Sequence, residues 1–378
     1  MQRIIIGFLF FFIVISFSTN AVSHTNLDTW SDPVLRTYNF DGETLVINSD
    51  YCDITIEPYT DDIIKVLWHV DGKWETDTSL SIIRTSLKPV VTFTESDDRL
   101  EISTKNVKLR IDKNPIRFYF YRADSVVMQE CASFIKHEGY RGVKLKLFPG
   151  EKIYGSGSRA LPVDRRGYDL PMFNQNQYAY EYPMNQLNTC IPFFMSSRIY
   201  GIFFDNHSLT WVHPGTVSDS LFYVNSYALE YSYYYINGGN YQDILSKYLW
   251  LTGNQPLMPR WALGYFQSKY GYEDQNTSLQ IMNNMRKEGF PVDVIIHDLI
   301  WFDKMGDFQW SKERFPNPAI MLDSLHNMGI KTVLISECYV SQNSVNYPDM
   351  EAKKLIPVND SGKIEPVAML GDMKCLLD

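Results

Sequence analysis

Residues Pro259–Asp298 read PRWALGYFQSKYGYEDQNTSLQIMNNMRKEGFPVDVIIHD. The apolar run Ala262 to Gln267 has the length of a strand. Leu279, Met282 and Met285 then recur at helical spacing until Gly289, and Val292 to Asp298 forms a second strand. The pattern continues outward. Asn317 serves as N-cap with Pro318 in the first helical position, Met321, Leu322, Leu325 and Met328 face inward, and Gly329 stops the helix before a third strand, Thr332 to Glu337. Strand, helix and strand in alternation is how parallel α/β structure is written, which leaves a doubly wound sheet or an eightfold barrel. A dinucleotide-binding sheet needs a glycine-rich turn after its first strand, and Ser268-Lys269-Tyr270-Gly271-Tyr272 is bulky there, so the barrel is favoured.

Upstream the grammar differs. From about residue 34 to 235, short runs alternate apolar and polar residues, as in Ile54/Ile56, Ile64/Val66/Trp68, Leu109/Ile111 and Val143/Leu145/Leu147, with turn residues such as Asn114-Pro115 and Pro149-Gly150 between them. This predicts an antiparallel β-sandwich over residues 24–255, closed by tyrosine-dense sequence and a helix capped by Asn240 and stopped at Gly253. Residues 256–378 are then the first part of a (β/α)8 TIM barrel. Three strands cannot close such a barrel, so the reading expects it to be incomplete, as in a truncated product.

Composition sets the remaining bounds. Of 378 residues, 45% are hydrophobic and 15% aromatic, which excludes a disordered chain. With 35 Lys and Arg against 44 Asp and Glu and no basic cluster, nucleic acid is not an expected partner. Arg3, the apolar run Ile4 to Ile15 and Ala21-Val22-Ser23 form a secretory leader over residues 1–23, predicting a secreted or periplasmic protein with no membrane association after cleavage. Five scattered cysteines, Cys52, Cys131, Cys190, Cys338 and Cys375, have neither zinc nor redox spacing; no metal or cofactor is implied.

Working residues of a barrel gather where strands end. Here those ends carry Tyr270 and Tyr272, then Asp298 with Trp301 and Phe302, then Glu337 and Tyr339. Carboxylates bond ring hydroxyls and aromatic faces cover the apolar side of a sugar, so carbohydrate is the expected ligand. His297 reads as a hydrogen-bonded structural histidine.

The motifs Pro259-Arg260-Trp261-Ala262-Leu263-Gly264, Ser268-Lys269-Tyr270-Gly271-Tyr272, Gly289-Phe290-Pro291-Val292-Asp293, Asp298-Leu299-Ile300-Trp301-Phe302 and Phe315-Pro316-Asn317-Pro318 together resemble glycoside hydrolase family 31. Gly155-Ser156-Gly157-Ser158-Arg159 and Asp164-Arg165-Arg166-Gly167 extend the likeness into the sandwich, and it looks most like exported α-glucosidases and 4-α-glucosyltransferases. The resemblance implies a retaining mechanism on α-linked gluco-oligosaccharides, with an Asp nucleophile after the fourth strand and an Asp acid/base after the sixth. No motif here matches either, Asp372 included, so no catalytic residue is assigned. Carried over are substrate contacts: Asp298 for hydroxyls of the nonreducing-end sugar, Tyr270 as the aromatic wall of that subsite, and Asp164 and Arg165 in a loop near the leaving-group sugar; Trp301, read from its place after the second strand, joins them as an expected substrate contact. Ser158, Ser311 and Cys338 depart from the usual Glu, Asp and Pro. Alternatives are a non-catalytic α-glucan-binding module and an α-xylosidase.

Overall fold

The computed structural model describes residues 32–376, apart from 71–78, 134–140, 175–179, 207–208, 217–220, 227–229, 338, 360, 365–366 and 369–373. The expected leader and Asp372 therefore lie outside the described residues, as does Cys338. Two compact units divide the chain, Met1–Asn254 and Gln255–Asp378.

In the first unit, period-two alternation builds two antiparallel sheets, of eight and nine strands among the described residues. Ile54, Ile56, Ile64, Val66 and Trp68 from one sheet join Leu109, Ile111, Phe118, Phe120, Val143 and Leu145 from the other in a single buried cluster. Burying each such side chain contributes roughly 1.5–3 kcal/mol. The tyrosine run splits by the same alternation. Tyr233 and Tyr235 point into this sandwich core, whereas Tyr234 points to the opposite face and packs with Tyr59, Phe193 and Phe203 beneath the helix Tyr241–Thr252. That helix starts where the Asn240 side chain accepts from Asp243 N (2.9 Å) and ends at Gly253, whose φ of +92° suits glycine.

The glycine-rich segment forms an edge strand, Ile153–Gly157, paired with Cys190–Ser196 through a register shift. A Cβ at Gly155 would overlap the Phe193 carbonyl oxygen, so the close approach of the two backbones requires glycine.

In the second unit, three parallel strands, Tyr265–Lys269, Val292–His297 and Lys331–Leu334, lie side by side in chain order, separated by helices Gln275–Lys287 and Pro318–Asn327. This is the start of a β/α barrel. The largest departures from the expected boundaries are at the first and third strands. Pro259 leads into a 3-10 turn, Arg260–Leu263, so the first strand begins at Tyr265, and the third ends at Leu334, short of Glu337. Ile295 packs with Met282, Met321 and Leu325 of the two helices, marking the covered face of the sheet. Among the described residues, no helix is long and apolar enough to cross a membrane.

Candidate functional site

The parallel register pairs Phe266 with Val294 and Ser268 with Ile296, placing these four on the face opposite Ile295. Asp298 keeps an extended backbone (φ −73°, ψ 178°), so the alternation runs through it and its carboxylate continues the Val294 and Ile296 face. Tyr270 follows Ser268 by two residues as Asp298 follows Ile296. Tyr270 is 72% exposed. Asp298 is half-buried and caps the 3-10 turn Leu299–Trp301, accepting from Leu299 N at 2.7 Å. Among the described residues it pairs with no cation, leaving its other oxygen available to a ligand donor.

Trp301 does not join this face. It is 5% exposed and packs against Phe302 (centroids 5.0 Å) and Trp310 (5.4 Å), with its indole N–H donated to the Ile335 carbonyl at 2.8 Å. The expectation of a sugar-facing ring is corrected: the 3-10 turn after Asp298 folds the side chain under the strand end into the core.

His297 also departs from expectation. Alternation sends it to the helix-facing side, where Tyr272, Trp310 and Phe315 present ring edges or faces at 6.2, 5.6 and 5.6 Å. It is 1% exposed, and among the described residues neither ring nitrogen has a hydrogen-bond partner. Desolvation in this box pushes the imidazole down to about 4, so it is neutral at physiological pH. The sequence signal for this was the shared face with Ile295, together with the aromatic residues at 310 and 315.

Asp164 and Arg165 belong to the first unit, and their hydrogen bonds lie within it. Asp164 Oδ1 accepts from Ile153 N (3.2 Å) and Arg166 N (3.1 Å). The Arg165 guanidinium donates to the carbonyls of Gly155 (3.1 Å), Leu161 (3.1 Å) and Pro162 (2.7 Å). Both residues shape the loop 158–167 onto its neighbouring strand. Among the described residues, no group of acidic, histidine and cysteine side chains is arranged to hold a metal ion.

Comparison with known proteins agrees with this architecture. Residues 53–213 match the glycosyl hydrolase 31 N-terminal galactose mutarotase-like domain, and residues 255–373 match the glycosyl hydrolases family 31 TIM-barrel domain. The chain is 28% identical to alpha-glucosidase 2 of Bacillus thermoamyloliquefaciens over 78% of its length, and 28% identical to an alpha-xylosidase of Saccharolobus solfataricus over 80%. A Flavobacterium johnsoniae GH31 dextranase, solved with isomaltotriose, superposes with a TM-score of 0.86 at 27% identity over 92% of this chain. The chain spans 39%, 42% and 44% of those three proteins, about two-fifths of each. Two domain models in the right order, met by a double-sheet sandwich and the opening strands of a parallel barrel, place this chain in glycoside hydrolase family 31.

Proposed function

We propose that this chain is the substrate-gripping portion of a retaining glycoside hydrolase, of the α-glucosidase or α-transglucosidase type, that acts on α-linked gluco-oligosaccharides. The observation that carries the proposal is the Asp298 carboxylate at the C-terminal end of the second barrel strand. It stands on the face of the sheet away from the helices, half-exposed and without a cationic partner among the described residues, with the exposed Tyr270 ring following the neighbouring strand on the same alternation. A carboxylate accepting from paired hydroxyls beside an aromatic plane recognises a sugar ring. The dextranase relative was solved with isomaltotriose, which names a ligand to try.

Asp164 and Arg165 enter indirectly, as residues that shape their loop. Export by the leader at residues 1–23, to a periplasm or the medium, belongs to the same proposal. The Saccharolobus solfataricus relative favours a second reading, preference for an α-xyloside, which lacks the hydroxymethyl group of glucose. Calorimetric titration with isomaltotriose and an α-xyloside, run beside an aryl α-glucoside assay, tests these readings. Binding with preference for the glucoside and no turnover is expected. Turnover by this chain would refute the assignment of gripping without cleavage, and absence of binding would refute the carbohydrate reading.

A further inference from the structure

We infer that Trp301 is the positioning residue for the Asp298 carboxylate: its indole N–H locks the turn that carries Asp298 onto the backbone of Ile335. The value of this to the protein rests on Asp298 being a sugar ligand, as proposed above.

The turn is held on both sides by one residue. Before Asp298, the His297 carbonyl accepts from Ile335 N at 2.9 Å; after it, Trp301 Nε1 donates to the Ile335 carbonyl at 2.8 Å. Both backbone polar groups of Ile335 are thereby committed to residues flanking the carboxylate. Within the turn, Trp301 N donates to the Asp298 carbonyl (3.2 Å). Ser311 N closes on the Trp301 carbonyl (2.8 Å), and Arg314 bonds the carbonyls of Ile300 (3.0 Å) and Phe302 (2.7 Å).

The Asp298 side chain has one hydrogen bond among the described residues, to Leu299 N in the same turn. Its direction is therefore set by where the turn sits, and the turn is tied to the neighbouring strand by the indole. That indole is enclosed by Phe302 and Trp310, so a single ring orientation is available and little water competes for the Ile335 carbonyl. Substrate-binding groups need this kind of support, because a carboxylate displaced by a fraction of an ångström loses hydroxyl geometry while the fold survives.

The test uses the full chain in four forms: parent, Trp301→Phe, replacement of Trp301 by 3-benzothienylalanine, and Asp298→Asn. The benzothienyl side chain keeps the shape of indole and removes the N–H, so it decides the matter where Trp301→Phe fails to fold. Amide exchange of Leu299 is read by NMR on leucine-labelled protein with Leu325 as internal reference, and isomaltotriose affinity is read by calorimetry. In the benzothienyl protein, Leu299 exchange should rise about tenfold with Leu325 unchanged, and affinity should fall by a similar factor. Parental exchange at Leu299, or faster exchange with parental affinity, overturns the inference. A parent that binds no isomaltotriose, or an Asp298→Asn protein that binds it as the parent does, instead sinks the sugar-ligand reading, and the exchange result still decides the clamp.

Discussion

Gly264 lies directly against the side chain of Asp293: a Cβ built on Gly264 would overlap Asp293 Oδ2, the same oxygen that accepts the amide of Tyr265 at 3.0 Å. The carboxylate thus fixes the first residue of the first barrel strand from the second strand, and only glycine leaves room for it. This explains in physical terms why a glycine closing Arg260-Trp261-Ala262-Leu263-Gly264 accompanies an aspartate closing Gly289-Phe290-Pro291-Val292-Asp293.

Gly264→Ala should destabilise the second unit by about 1–3 kcal/mol through overpacking. In an Asp293→Ala background the same change should cost markedly less, because the clashing oxygen is gone. Urea unfolding of the four proteins of this cycle measures the coupling; additive effects would show that the contact does not constrain the strand.

His297 makes stability depend on pH. Its folded-state value of about 4 lies below the ordinary histidine value near 6.5 because burial disfavours the charged ring. Between those values the unfolded chain binds the proton more readily, so stability is complete above about pH 6.5 and is lost as pH falls toward 4, by on the order of 3 kcal/mol. His297→Phe fits the aromatic box and removes the titrating group. The loss of unfolding free energy between about pH 7 and about pH 4.5 should therefore be smaller in the variant than in the parent; equal losses would count against this role.

The first unit depends on Arg165 for its loop. Arg165→Met keeps much of the aliphatic bulk and strips three carbonyls of their donor, those of Gly155, Leu161 and Pro162. A cost of roughly 2–4 kcal/mol is expected, with proteolysis first appearing between residues 158 and 167. An unchanged cleavage pattern would return Arg165 to the candidates for direct sugar contact.

Much of the architecture was legible because its determinants are local and periodic. Alternation at Ile54/Ile56 and Val143/Leu145 forecast buried strand faces, and Asn240 and Gly253 forecast both ends of a helix, since each acts within a few residues of itself. What misled was apolar sequence whose burial is decided elsewhere. Ala262-Leu263 looks like strand, yet the turn entered through Pro259 leaves Leu263 76% exposed. Asn317 sits where an N-cap belongs, but its side chain makes no cap bond, and its backbone N–H donates to Gln275 Oε1 of the preceding helix. At the site, Asp298 and Tyr270 could be picked out from strand-end position and period. The roles of Trp301 and His297 could not, because a three-residue 3-10 turn and the packing of residues 310 and 315 decide which way those rings face.

The most direct test of the account is isothermal titration of isomaltotriose into the parent chain and into Asp298→Asn, which keeps the side chain's size and its acceptor for Leu299 N while removing the charge. The account predicts saturable binding by the parent, weakened at least about tenfold in the variant at unchanged melting temperature, as for loss of a charge-assisted hydrogen bond. Equal affinity in the two proteins would contradict it.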